Sequence, residues 1–204
     1  FTRQLACGVY DIDRVECEFK SLMTNTAPTC AYRGAGRPEA TAAIERAVDL
    51  FAAEIGMDPA EVRRINFIPP TAFPFTTATG TLYDSGDYEK ALDAALEASN
   101  YKGLRAEQEK RRQNKSTKQI GIGVATYVEI TGFGGSEYGH ISLRPDGTVL
   151  ATTGATPIGT GHFTTWAMIV AEKLGIPMEK IEVFHGDTDI VPTGETTGGS
   201  RSVQ

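Results

Sequence analysis

Cysteine is scarce in this 204-residue sequence, with only Cys7, Cys17 and Cys30 present. An odd number with no Cys-x-x-Cys pair excludes a disulfide framework and a cysteine-built zinc site, and it fits a reducing, cytoplasmic setting. Histidine is equally sparse. His140, His162 and His185 fall on different predicted elements without metal-ligand spacing, so no metal site made of protein side chains is expected. Positive charge is also in deficit, 20 Lys and Arg against 26 Asp and Glu, for a formal charge of −6. Nucleic acid is therefore excluded as a partner, because neutralising phosphates needs clustered basic residues in surplus. The one basic run, Lys110 to Arg112 with Lys115 and Lys118, follows Glu107 and Glu109 and reads as a solvated helix end or linker. No apolar run approaches the roughly 20 residues that span a bilayer, and no signal-peptide pattern opens the chain. No Gly-x-Ser-x-Gly nucleophile elbow occurs, and a Ser-His-Asp triad could be drawn only from unrelated loops.

What is present is an ordinary globular composition, 40% hydrophobic and 23% charged, enough for one good core or two small ones. Phe1 at one end and a Ser/Gly-rich stretch at the other suggest that both ends are cut. Alternation of Val15, Cys17 and Phe19 with Glu16, Glu18 and Lys20 predicts a half-buried strand over residues 15–21. After a loop, Pro38 opens a helix whose apolar residues Ile44, Ala47, Val48, Phe51 and Ile55 recur at helical spacing until Gly56. Asp58, Pro59 and Glu61 predict a second helix with a capping-box pattern. Residues 66–86 read as an ordered, extended connection. A third helix carries Tyr88, Leu92, Ala95 and Leu96.

The polar stretch 107–118 is the best candidate boundary, dividing the chain into 1–117 and 118–204. Beyond it the pattern turns to strand, first over residues 119–130. Pro145-Asp146-Gly147 then marks a hairpin between 141–144 and 148–153. A helix from Phe163 to Leu174 ends at Gly175, and a last strand carries Ile181 and Val183. The sum is an α+β protein in two parts.

Three loops could carry chemistry. In residues 154–162 a strand passes through Gly159-Thr160-Gly161-His162 into a helix, a junction where free amides and the helix dipole receive anions. The same glycines could merely reverse the chain. Residues 196–202 set hydroxyls beside Gly198, Gly199 and the Arg201 guanidinium, which could cradle a pyrophosphate or form a polar surface loop. Residues 31–38 form a Gly-rich loop with Arg33 and Arg37 directly before a helix, again either an anion site or a plain helix entry. Asp187 and Asp189 read as a capped turn rather than as paired catalytic carboxylates.

Several of these runs together, in order and over nearly the whole chain, resemble one family. They are AYRGAGRP at 31–38, EVRRIN at 61–66, YDSGDY at 83–88, Asp146-Gly147, the 159–162 turn, and GDTD at 186–189 through GSRS at 199–202. The sequence resembles the molybdenum-binding large subunits of the xanthine oxidase and aldehyde oxidase family, carbon monoxide dehydrogenase-like branch, and reads as an internal piece of one. The resemblance implies parts of two elongated mixed α/β domains of the molybdopterin-binding type, the first ending at 117 and the second starting at 118. It implies a cofactor, molybdopterin cytosine dinucleotide with molybdenum. Tyr32, Arg33, Gly34 and Ala35 would line the molybdenum pocket; Gly159, Thr160, Gly161 and His162 would hold the pterin or its phosphates; Gly199, Ser200, Arg201 and Ser202 would hold the dinucleotide end. These bends would fold together as one cleft, and residues 126–129 would fall near the substrate channel.

The implied activity is that of a molybdenum-dependent oxidoreductase, hydroxylating a small aldehyde, heterocycle or similar molecule with water as oxygen source. Electrons would leave through an iron-sulfur small subunit and an FAD-carrying medium subunit, in a dimer of heterotrimers. The glutamate base and a Gly-Gly-Phe-Gly loop would lie outside this chain, leaving the piece inactive alone. Forms that oxidise carbon monoxide resemble AYRCSFR, with a copper-bridging cysteine where this chain has Gly34, so carbon monoxide oxidation is the alternative reading. A non-catalytic cofactor-binding module is a third, suggested by Thr160 where the family has glutamine.

Overall fold

The computed structural model describes residues 1–28, 30–132, 136–195 and 197–203. They form two compact units, Phe1–Glu129 and Ile130–Gln204.

In the first unit, α1 (Arg37–Glu54) and α2 (Pro59–Asn66) are followed by a single 3-10 turn at Pro70–Ala72. A two-residue antiparallel pair comes next, β1 (Phe75–Thr76) with β2 (Leu82–Tyr83), then α3 (Tyr88–Ala98) and α4 (Tyr101–Gln113). The helix ends follow from local chemistry. Past α1 the chain turns through Gly56 at φ 65°, where a β-carbon would be strained, and the Met57 amide returns to the Ala52 carbonyl at 2.9 Å. Asp58 caps α2 by accepting from the Ala60 amide at 2.8 Å. The expected capping box is incomplete, because Glu61 pairs forward with Arg64 at 3.4 Å. Val9, Tyr10, Ala60, Phe67, Leu92 and Tyr101 form the core, with Ile44 and Val48 of α1 packed against it.

Much of the charged stretch 107–118 is helix, and its basic run is the solvated helix end of the two readings that the sequence allowed. Residues up to Gln113 continue α4, held on the surface by Arg111 to Glu107 at 2.7 Å and Gln113 to Glu109 at 2.9 Å. Lys110, Arg111 and Arg112 complement the negative end of the helix dipole. Helical periodicity was hidden because α4 buries only Tyr101 and Gln108.

Residues 15–21, expected as a half-buried strand, are exposed apart from partial cover at Val15, and among the described residues they have no ladder partner; Phe19 is 61% exposed. Residues 119–130 likewise join no ladder, although their exposure alternates as a strand's does. Their inward residues Ile122, Val124 and Val128 pack on the core.

The second unit is a three-stranded sheet of order β3-β4-β5 with one helix. β3 (Gly139–Leu143) pairs antiparallel with β4 (Val149–Thr153) across the Asp146-Gly147 hairpin, Leu143 opposite Val149. Gly147 adopts φ 80° and donates to the Arg144 carbonyl at 3.0 Å, while the Asp146 carboxylate accepts from the Thr148 amide and hydroxyl. That hydroxyl hydrogen bond, with help from the amide, holds the Asp146 carboxyl below the usual range. From β4 the chain runs through a loop into α5 (His162–Leu174), a 3-10 turn at Met178–Lys180 and β5 (Ile181–Phe184), parallel to β4. Trp166, Ile169 and Val170 of α5 line a shallow pocket with Ile141, Ala151 and Val183 of the sheet. No helix among the described residues is long and apolar enough to cross a membrane.

Candidate functional site

The second unit gathers two of the sequence-predicted loops. β4 delivers the chain to Gly154, and the loop that follows turns at Gly159 (φ 86°) and Gly161 (φ 75°) before α5 begins at His162. Gly161 occupies the cap position with no side chain closing the helix end. The Thr165 amide is the first to return into the helix, to the Gly161 carbonyl at 3.2 Å. Among the described residues the amides of His162, Phe163 and Thr164 thus have no protein acceptor, and the first turn carries no acidic residue. A β-carbon built on Gly159 or Gly161 would meet nothing within 4 Å. Open donors, an unopposed dipole and free space beside glycines are what an anionic or hydrogen-bond-accepting group requires.

Residues 197–202 are tied to this helix end twice. Trp166 donates its indole N–H to the Ser202 carbonyl at 2.9 Å. The Thr197 hydroxyl bridges main-chain atoms of Thr156, donating to the carbonyl at 2.6 Å and accepting from the amide at 3.0 Å. Gly199 and Ser200 both adopt positive φ, 63° and 53°. The His162 ring stacks against Trp166 at 4.8 Å between centroids, and its Nδ1 is shielded from solvent without a hydrogen-bond partner among the described residues. Thr160 is exposed. The Arg201 guanidinium donates to Glu195 at 2.5 Å and to Glu137 at 3.2 Å, with its side chain 13% exposed. Thr196 lies outside the described residues.

Trp166, Glu137 and Glu195 were not singled out as site residues from sequence, and nothing in the sequence joined Thr197 to Thr156. The contacts of Trp166, Thr197 and Glu137 join positions 36 to 64 residues apart, and only the Glu195–Arg201 pair is local. The chain's single tryptophan was the one available signal, since a buried indole N–H needs an acceptor.

In the first unit, residues 31–37 make a tight double turn into α1. Ala35 donates to the Tyr32 carbonyl at 2.6 Å and Arg37 to Gly34 at 3.0 Å, with Gly34, Ala35 and Gly36 all at positive φ. This helix start is a weaker anion site than that of α5. The Arg37 and Ala40 amides are spent, Pro38 has none, and Glu39 puts a carboxylate in the first turn. The loop instead projects Tyr32, 85% exposed, and Arg33 into solvent, while Arg37 is buried and ion-paired with Glu129. A β-carbon on Gly34 would lie 2.5 Å from Cδ of Pro38, at φ 98°. The proline ring thus fills the space a side chain at 34 would need. The Asp187 turn is as the sequence implied, its carboxylate accepting from the Asp189 amide at 2.9 Å and its carbonyl from Val191 at 2.8 Å.

Two distinct molybdopterin cofactor-binding domain families match this chain, one over residues 2–67 and the other over residues 94–204. The chain belongs to the molybdopterin cofactor-binding proteins. It is 43% identical over 97% of its length to the carbon monoxide dehydrogenase large chain of Hydrogenophaga pseudoflava. It is 34% identical over 98% to the gamma subunit of the 6-hydroxypseudooxynicotine dehydrogenase complex of Paenarthrobacter nicotinovorans. Among solved structures, quinoline 2-oxidoreductase from Pseudomonas putida 86 superposes over 99% of this chain with TM-score 0.90 at 30% identity. The Cu,Mo-CO dehydrogenase superposes over 83% with TM-score 0.76 at 38% identity. The chain spans about a quarter of each of these relatives, 26% of both curated proteins and 27% and 23% of the solved chains. The α+β architecture expected from sequence is the one these molybdenum-enzyme chains share.

Proposed function

We propose that this chain is part of the molybdenum-binding large subunit of a hydroxylase of the xanthine oxidase type. In this reading the α5 start, with residues 199–202, grips the cofactor. The observation that carries the proposal is the open N-terminus of α5, with three amides uncommitted among the described residues and no acid in its first turn, and a second loop fastened to α5 through Trp166 and to the loop before it through Thr197. The bound molybdenum cofactor supplies the centre that takes two electrons from the substrate.

The chain's own residues hold and orient it. The amides of His162 to Thr164 receive pterin or phosphate oxygens, Gly159 and Gly161 permit close approach, and Gly199, Ser200, Arg201 and Ser202 face the dinucleotide end, read as cytosine. His162 Nδ1, desolvated and without a hydrogen-bond partner among the described residues, gains a hydrogen bond when the site fills. Thr160 offers one hydroxyl where an amide would offer more, and accepts a looser hold at that point. Tyr32, Arg33, Gly34 and Ala35 line the reaction pocket. The division into molybdopterin-binding domains 1–117 and 118–204 belongs to the same reading, as do an iron-sulfur subunit and an FAD subunit receiving the electrons, assembly as a dimer of heterotrimers, and a cytoplasmic location. The base glutamate lies elsewhere in the polypeptide.

The substrate is an aldehyde, heterocycle or similar small molecule. Similarity to carbon monoxide dehydrogenase large chains favours carbon monoxide as a second reading, and Gly34 opposes it. A thiolate at 34 would need both a strained backbone and displacement of the Pro38 ring.

Thr164→Asp tests the cofactor assignment. The new carboxylate suits a helix start, so folding is retained, but it repels phosphate from the same amides. The full-length variant should carry at least roughly tenfold less molybdenum and pterin than the Thr164→Ser control. Equal loading of the two variants overturns the assignment. Cytidine monophosphate released on hydrolysis of the parent's cofactor tests the dinucleotide form.

A further inference from the structure

Residues 120–129 have the amphipathic pattern of a sheet strand and none of its pairing. Exposure alternates at every residue, with Ile120, Ile122, Val124, Thr126 and Val128 turned inward and Gly121, Gly123, Ala125, Tyr127 and Glu129 outward. Among the described residues, the main chain from Gly121 to Val128 makes no backbone–backbone hydrogen bond. Only the Thr126 amide is taken, by the Glu45 carboxylate at 2.9 Å. That contact, with Gln108 donating to the Ile120 carbonyl at 2.8 Å, anchors the segment on α1 and α4. A strand held flat with its edges open is a template for another strand.

The outward glycines add a separate argument. Neither Gly121 nor Gly123 has a positive φ, and a β-carbon on either would meet nothing within 4 Å. Nothing within the described residues requires glycine there, and glycine in an extended segment costs stability. Glycine in a strand marks a place where other chain passes close over the surface.

A second segment shares the deficit. Between Asp13 and Cys30 no backbone–backbone hydrogen bond joins described residues, and Phe19, Leu22 and Met23 are 61%, 78% and 100% exposed. It leaves the core at Ile12, which packs on the same cluster as Ile122, Val124 and Val128.

We propose that residues 120–129 are a strand of a sheet whose neighbouring strand comes from the same polypeptide outside residues 1–204. The occupant follows from proportion, because relatives matching nearly all of this chain are about four times as long. A subunit of the relatives' length would have ample polypeptide to supply it. The proposal rests on the chain being part of a longer subunit and is independent of cofactor identity.

Two measurements on the full-length protein test it. Hydrogen exchange should find the amides of Gly121 to Ala125 protected roughly 100-fold or more over an unstructured peptide. A photo-crosslinking phenylalanine analogue in place of Tyr127, which is 68% exposed here, should crosslink to the same polypeptide outside residues 1–204. Unprotected amides in 121–125 beside protected α1 amides would overturn the proposal. So would crosslinks to a second copy, shown by mixing isotopically labelled protein, or to another subunit. Loss of cofactor with protection retained would instead count against the functional assignment alone.

Discussion

Arg63 carries a full charge with no access to solvent. Its guanidinium is met at 2.8 Å by the Glu45 carboxylate, at 3.0 Å by Asp49 and by the carbonyls of Pro59 and Glu45. Glu45 also accepts from the Tyr10 hydroxyl at 2.5 Å and from the Thr126 amide at 2.9 Å. One carboxylate thus joins α1, α2, the N-terminal segment and residues 120–129. Desolvating both ions offsets much of their attraction, so the pair adds little against an apolar replacement, but removing one member strands the other. Glu45→Ala should cost about 3–5 kcal/mol in urea denaturation, and the exposed Glu61→Ala no more than about 0.5 kcal/mol. Equal costs would show that the Arg63 charge is not held as described. Such a network leaves no trace in local sequence. Arg63 and Glu45 are 18 residues apart and Tyr10 and Glu45 are 35 apart, beyond the reach of any local pattern.

At the scale of elements, the two capped helices of the first unit separate what a cap contributes from what tertiary contact adds. Asp87 caps α3 by accepting from the Lys90 amide at 3.1 Å. Asp58 caps α2 and also takes the Tyr101 hydroxyl on both carboxylate oxygens at 3.0 Å, with Arg105 at 3.6 Å. Asp87→Ala should therefore cost about 1 kcal/mol, as an ordinary cap does. Asp58→Ala should cost about 1 kcal/mol more, because the Tyr101 hydroxyl loses its acceptor. Equal urea midpoints for the two variants would contradict this.

These elements also mark where the sequence was legible. α1, α2, α3, α5 and the Asp146-Gly147 hairpin were readable because caps, turn residues and apolar period agree locally. α4 was not, since its stability comes from charge pairs and its dipole rather than from an apolar stripe. Residues 15–21 and 119–130 carry a true strand period, but pairing depends on neighbours that a period cannot supply. In the candidate site, glycines at 159, 161 and 199 were readable because positive φ demands them. The fastening of one loop to the other through Trp166 and Thr197 was not.

Across the whole molecule, titratable aromatic groups are unevenly shared. Six of the seven tyrosines lie in the first unit, whereas Trp166, the only tryptophan, lies in the second. Tyr10 and Tyr83 are almost wholly enclosed, at 2% and 4% exposure. Burial raises the Tyr10 phenol well above the ordinary tyrosine range, reinforced by its hydrogen bond to Glu45, and burial likewise raises Tyr83. The fold therefore favours the neutral phenols. Their contribution is fully present below the unfolded value near 10 and is lost as pH rises from there toward the raised native values. While native phenols stay protonated and unfolded ones ionise, each loses about 1.4 kcal/mol of stability per pH unit. Urea midpoints followed by tyrosine signals should hold steady from pH 8 to about 10 and fall steeply by pH 11. In Tyr10→Phe/Tyr83→Phe the fall should be distinctly shallower. If the double variant falls as steeply as the parent sequence, the alkaline loss arises elsewhere and the two phenols are not held neutral by their burial.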